Sequence, residues 1–128
     1  MESYPNGLKV HNVSPYTAVP IESLATVLEG DMFIHAEELE TSIMSYIRSD
    51  PVDMSKAVRE HPDFIPKELT THNFLEAIKI VTTSKFIGRS FRTDVCGDAT
   101  LDTKVRGEKL FNILVEGVVR AVRHVTIY

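Results

Sequence analysis

Apolar positions recur along the chain in separate rhythms, and each rhythm predicts an element. Leu8, Val10 and Val13 are interleaved with polar neighbours and predict a short strand that ends at Ser14-Pro15. Pro5, Asn6 and Gly7 before it read as a turn. Pro20 suits a first helical turn, Ile21, Leu24, Ala25 and Leu28 share one helical face, and Gly30 is a natural stop. Residues 31–34 read as a brief connection. A second helix is predicted over residues 36–48, where Leu39, Ile43 and Ile47 recur every four positions with Met44 beside them. That stripe is expected to face the core. Glu37 and Glu38 in the first turn and Arg48 in the last suit the helix dipole, and Pro51 ends the element.

The rhythm weakens over residues 53–71, where Pro62, Pro66 and histidines interrupt it. A short helical turn over 54–59 followed by a loop is the reading there. Such irregular stretches form functional rims or plain surface. Ile78, Ile80 and Val81 predict a strand, and residues 86–96 are mixed, with Gly88 and Gly97 marking turns. The clearest element spans 103–123. Leu110, Phe111, Leu114, Val118 and Val122 give it a broad apolar face that must pack on a sheet or on other helices. Gly107 and Gly117 lower its helix propensity but permit close approach of another backbone.

At 128 residues the chain is one domain at most, or part of one. The apolar fraction of 43% and charged fraction of 25% place it with globular rather than disordered sequences. A net charge of −4 without a basic face argues against a nucleic-acid partner. Arg120, Arg123 and His124 sit at the end of the last predicted helix, where they complement its dipole. No apolar run approaches the roughly 20 residues needed to span a bilayer, so no membrane partner is expected. Cys96 is the single cysteine, which fits a reducing, cytoplasmic setting. With no histidine near it in sequence, it reads as a packed, inert thiol.

His35 and Glu40 are the candidates for chemistry. His35 stands where a helix is predicted to begin, and the positive end of the dipole favours a neutral ring there. Such a ring binds a metal or a substrate oxygen, or shuttles a proton. Glu40 lies five positions on, so the two share a metal only if His35 lies outside the helix. By spacing alone, a capping histidine and a helix-surface carboxylate would read the same way. His11, His61, His72 and His124 have no metal-ligand spacing, though His61 and His72 could line a pocket in the irregular region.

The segment His35-Ala36-Glu37-Glu38-Leu39-Glu40-Thr41-Ser42 resembles the HAGxxETS segment of the creatininase (creatinine amidohydrolase) family. Downstream, Gly97-Asp98-Ala99-Thr100-Leu101-Asp102-Thr103 and its continuation to Leu110 resemble a GDPTLATAEKGEKL-like segment of the same family. The two fall in the family's order and at about its spacing. The resemblance covers roughly residues 8–124 and corresponds to the C-terminal half of a typical member. It implies an α/β fold, a three-layer α/β/α sandwich present incompletely, with residues 1–128 as a single partial domain. It implies metal-dependent hydrolysis of a C–N bond in a cyclic or formylated amide, with zinc or manganese as the divalent metal. His35 matches the family's proton-transfer histidine beside the substrate. Glu40 matches a glutamate near the metal, and Asp98 an aspartate expected to cap a turn.

Two departures qualify what the resemblance implies. Glu37 stands where the family has glycine, which adds a charge where substrate should sit and restricts the backbone. The family's E-x-H and NGHGGN-like segments, which carry most metal ligands, do not occur in this chain. Three readings therefore stand. The chain is a hydrolase half that acts on a small-molecule amide-like substrate, as a homo-oligomer or with a complementing N-terminal half. It is a non-catalytic remnant or interaction subunit. Or it is an unrelated small α/β binding domain. A half-domain should leave apolar surface exposed. The isolated chain is accordingly expected to self-associate, and a monodisperse monomer in sedimentation-velocity runs would contradict that.

Overall fold

In a computed structural model of the chain, residues 2–3, 9–31, 33–61 and 93–126 are described. The strand expected at Ile78, Ile80 and Val81, the turn at Pro5 to Gly7, the start of the first strand at Leu8, and His72 lie outside them. The described residues mix helices with small antiparallel sheets, an α/β arrangement. β1 (Glu2–Ser3) pairs with β2 (Lys9–Val10) in a two-stranded ribbon. β3 (Phe33–His35), β5 (Cys96–Asp98) and β4 (Arg59–Glu60) form a second sheet in the order β3-β5-β4. The connection expected over 31–34 is thus partly strand. Strand β3 is too short to show an alternating pattern, and it pairs with a segment about sixty residues away, so its strand character is set by tertiary contact.

α1 (Ile21–Ala25) is a shorter helix than the spacing of Ile21 to Leu28 suggests. Leu24 is fully buried, and Val27 and Leu28 continue onto the core in a turn closed by bonds to the Leu24 carbonyl. α2 (Glu38–Ile47) and α3 (Lys104–Thr126) form the main packed pair. Val19, Leu24, Leu39, Leu110 and Leu114 make the core between them and α1.

The inward face of α2 differs from the apolar stripe read in its sequence. Leu39 is buried, but Ile47 and Met44 are exposed, and Ser42 and Ser45 face inward instead. The cause is Gly107. A Cβ built there would lie 1.8 Å from the Ser42 carbonyl oxygen, so α2 and α3 touch backbone to backbone through small residues. Gly117 plays the same part for the Ala18-Val19 segment, where an added Cβ would lie 2.2 Å from Val19 Cγ1. Both glycines do what close approach requires. The displaced apolar side chains emerge on the outside. Tyr16, Ile43, Ile47, Phe111, Val115 and Val119 line a groove of about 340 Å³. Among the described residues the exposed apolar side chains therefore lie largely on the helix pair, including Val122, which the sequence pattern placed on the packed face.

A buried ion pair fixes this packing. Glu38 is 1% exposed, and its Oε1 sits 2.9 Å from Arg106 Nε. Glu38 also accepts hydrogen bonds from the Glu29 and Gly30 N–H groups, the latter at 2.7 Å. Arg106 donates to the Val27 and Leu101 carbonyls and pairs with Glu29 at 2.6 Å. Removing one partner of such a pair leaves a buried charge without its counter-ion, at a cost of about 3–5 kcal/mol. Arg106→Ala is expected to lower unfolding free energy by about 3 kcal/mol in urea titration. Gly107→Ala should cost about 1–3 kcal/mol by forcing the helices apart. A loss below about 0.5 kcal/mol for Arg106→Ala would remove the pair from this role.

Candidate functional site

The site is built on the turn between β3 and α2. His35 ends β3, where the register against β5 shifts: Phe33 faces Gly97 and His35 faces Cys96. The extra residue on β3 is a bulge, a device that re-aims a side chain at a strand end. Gly97 supplies the conformation this needs, with φ 137°. Ala36 then takes a left-handed φ of 51°, and Glu37 is extended at φ −109°. His35 therefore lies outside the helix, two residues before its cap, rather than at its first turn.

This turn brings the two candidate residues together. His35 Nδ1 lies 3.5 Å from Glu40 Oε2, and the side chains are 60% and 40% exposed. Glu40 Oε2 also accepts from the Ala36 N–H at 2.5 Å. In return, Glu37 caps the helix: its carboxyl accepts from Leu39 N at 3.0 Å and from Glu40 N at 3.4 Å. The arrangement is a variant of the capping box, in which two acids satisfy the orphan N–H groups of the entry turn. Glu40 is thus a helix-entry cap as well as the partner of His35.

The structure corrects the expectation for Glu37. Its side chain does not project a charge toward substrate. It is 1% exposed and folded into the cap. Burial, opposed by the Leu39 and Glu40 hydrogen bonds and reinforced by the Glu40 and Glu38 carboxylates, pushes its carboxyl up to about 8. The backbone at position 37 is extended and needs no glycine; the left-handed residue is Ala36.

Asp98 takes the capping position expected of it. It accepts from Thr100 N at 2.9 Å and from the Thr100 hydroxyl, and so opens the 3-10 turn at Ala99–Leu101. Arg59 Nε, 3.8 Å away, neutralises it. Cys96 is fully buried, and burial, with Glu37 and Glu60 nearby, pushes its thiol up to about 12. It stays protonated, as an inert packed thiol does. His61 follows β4 and is half-buried, and His11 and His124 are exposed.

Beside the pair lies a cleft of about 600 Å³. Glu40, Thr41 and Met44 of α2 line it with Tyr16, Val52 and Met54. Periodicity gives no sign of this wall, because it is assembled from three chain segments and from the face of α2 that its stripe assigned to the core. Burial, together with Glu40 and Glu37, raises the Tyr16 phenol above its ordinary range, so it remains a hydrogen-bond donor.

A divalent metal is a separate question. Ligand atoms held at about 2.0–2.2 Å by one tetrahedral ion lie a little over 3 Å apart, which the His35–Glu40 separation approaches. A centre needs three or four donors, and among the described residues no group of three His, Cys, Asp or Glu could hold an ion. The pair supplies two donors and does not make a metal site by itself. Among the described residues no helix is long and apolar enough to cross a membrane.

These features define an α/β protein with a histidine–glutamate pair on a strand–helix turn, its glutamate lining a cleft. Residues 9–122 match the creatininase family model, described as creatinine amidohydrolase. The match spans most of the chain, and the protein belongs to that family. Family membership suggests amidohydrolase activity. Neither a search of curated proteins nor a search of solved structures found a match.

The Glu37 cap makes stability depend on pH. In the unfolded chain this carboxyl ionises near 4.5, whereas in the folded protein it holds its proton up to about 8. Between those values the folded state binds more protons, so stability falls as pH rises through the window. Unfolding free energy should drop by about 1–3 kcal/mol between about pH 5 and pH 8. Glu37→Gln keeps an oxygen for the cap and should flatten that slope. An unchanged slope in the variant would reassign the effect to other groups.

Proposed function

We propose that this chain contributes the His35–Glu40 pair to a creatininase-type amidohydrolase that opens the C–N bond of a cyclic or formylated amide. The observation that supports it is the 3.5 Å contact between His35 and Glu40, of which Glu40 lines the cleft, in a chain that matches the family over residues 9–122. A carboxylate facing Nδ1 favours the tautomer that carries its proton there and leaves Nε2 as the working atom. His35 then takes a proton from water as oxygen adds to the carbonyl carbon, and returns it to nitrogen as the C–N bond breaks. The ring is 60% exposed, so Nε2 is open to both steps.

In this reading the chain is one α/β/α domain, cytoplasmic, with the α2–α3 pair as one outer layer of the sandwich. A zinc or manganese ion would need further donors, and those belong to a complementing N-terminal half or a second polypeptide. Assembly as a homo-oligomer or with that half fits the same reading. The exposed apolar groove on the helix pair favours a second reading, an interaction subunit without catalysis.

Turnover of formamides and hydantoins, followed with zinc or manganese in the assembled protein, separates the two. His35→Ala and Glu40→Gln should each lower the rate by about 10²–10⁴-fold. Both side chains are well exposed, so Tm should move by less than about 3 °C. Equal rates in wild type and both variants would leave the interaction subunit as the function.

A further inference from the structure

The cleft beside the pair offers more surface than a bare amide would cover. Its volume, about 600 Å³, is that of a small-molecule site. Met44 lies one helical turn beyond Glu40, on the same side of α2. Pro51, Val52, Met54 and Ala57 from the following segment complete an apolar wall. Met44 and Met54 are 44% and 39% exposed. Thioether side chains at such positions adapt to the shape of an apolar ligand.

The polar part of the lining is small and directional. Asp53 and Lys56 cancel each other at 3.0 Å. Glu40 Oε2 is occupied by the Ala36 N–H and faces His35, whereas Oε1 takes no hydrogen bond among the described residues. It can accept one N–H from a ligand. Tyr16 lines the same cleft and supplies an O–H for a carbonyl oxygen. An anion would meet the Glu40 carboxylate and be repelled.

We propose that this cleft binds a neutral secondary amide carrying an apolar substituent, with its N–H on Glu40 Oε1 and its substituent between Met44 and Met54. The inference deepens the amidohydrolase reading and rests on it for the choice of an amide. It narrows the substrate class to amides whose apolar flank is about the size of a phenyl ring.

Methyl NMR of the full chain labelled at methionine tests this. The probes are N-benzylformamide, N-methylformamide, N-benzyl-N-methylformamide and phenylacetate. Met44→Leu and Met54→Leu, both conservative changes at partly exposed positions, assign the two methyl signals. N-benzylformamide should shift both signals saturably and bind about tenfold or more tighter than N-methylformamide. Methylating its nitrogen should weaken binding by about threefold to tenfold, and phenylacetate should not compete. Equal affinity for the two secondary formamides, or shifts confined to Met1 and Met32, would overturn the inference. Binding with these preferences but without turnover sustains the site and removes the hydrolase. Turnover without any shift at Met44 and Met54 sustains the hydrolase and removes this site.

Discussion

The buried contact between Glu38 and Arg106 is the constraint on which the rest of this structure depends. It joins three segments: the end of the α1 turn, the start of α2 and the start of α3. Charges this deeply buried cost several kcal/mol to desolvate, and here that cost is offset because each has several partners. Glu38 receives two backbone N–H groups besides Arg106, and Arg106 reaches two carbonyls and Glu29. Such a network is directional. It sets the angle at which α2 leaves its entry turn, and that turn carries Ala36, Glu37 and Glu40. The position of the His35–Glu40 pair is therefore a consequence of packing some distance from it.

Small residues then convert this anchor into a close helix pair. With Gly107 against Ser42, the two helices leave no space for a conventional apolar seam at that level. This explains why some elements were legible in the sequence and others were not. The long apolar run of α3 is a local signal, and the helix falls where the periodicity puts it, at Lys104–Thr126. The close-approach role of Gly107 and Gly117 was also legible, because an unexpected glycine in a helix requires a reason. The orientation of α2 was not. Its apolar stripe is genuine, but on the next face Ser42 packs against Gly107 and Ser45 donates to Asp102, and nothing in the α2 sequence alone says which neighbour it will meet. Strand β3 was hidden for a related reason, since three residues paired with a distant segment leave no local period.

The site was legible in its parts and not in its environment. The HAxxxETS-like string pointed to His35 and Glu40, and the fold brings them to 3.5 Å because the bulge puts His35 outside the helix, the geometry their five-residue spacing demands. Of the Gly97-Asp98 string, the cap expected of Asp98 is present, whereas Gly97, read as marking a turn, lies within β5 at φ 137°. Glu37 was misjudged because a carboxylate in a family glycine position suggests an intrusive charge. The N-cap position allows another outcome: the side chain turns back onto the helix it opens. Cleft residues such as Tyr16 and Met54 come from loops whose approach depends on tertiary structure, and no motif marks them.

Glu40 combines a structural contact with the role proposed for it. One carboxylate oxygen holds the Ala36 N–H and faces the histidine, while the other takes no hydrogen bond among the described residues, and the side chain lines the cleft. A group used only for chemistry would have to be held by other residues, and those would need positions of their own in a small domain. Here the backbone turn holds the acid, and the acid in turn holds the backbone of Ala36 in a conformation that alanine adopts at some cost. The left-handed residue, the short N–H bond and the pair are therefore one unit: relaxing Ala36 to an ordinary φ would withdraw its N–H from Glu40 and move His35 with it. That coupling gives a physical reason for an acid at this point of the entry turn, whatever residue stands at position 37.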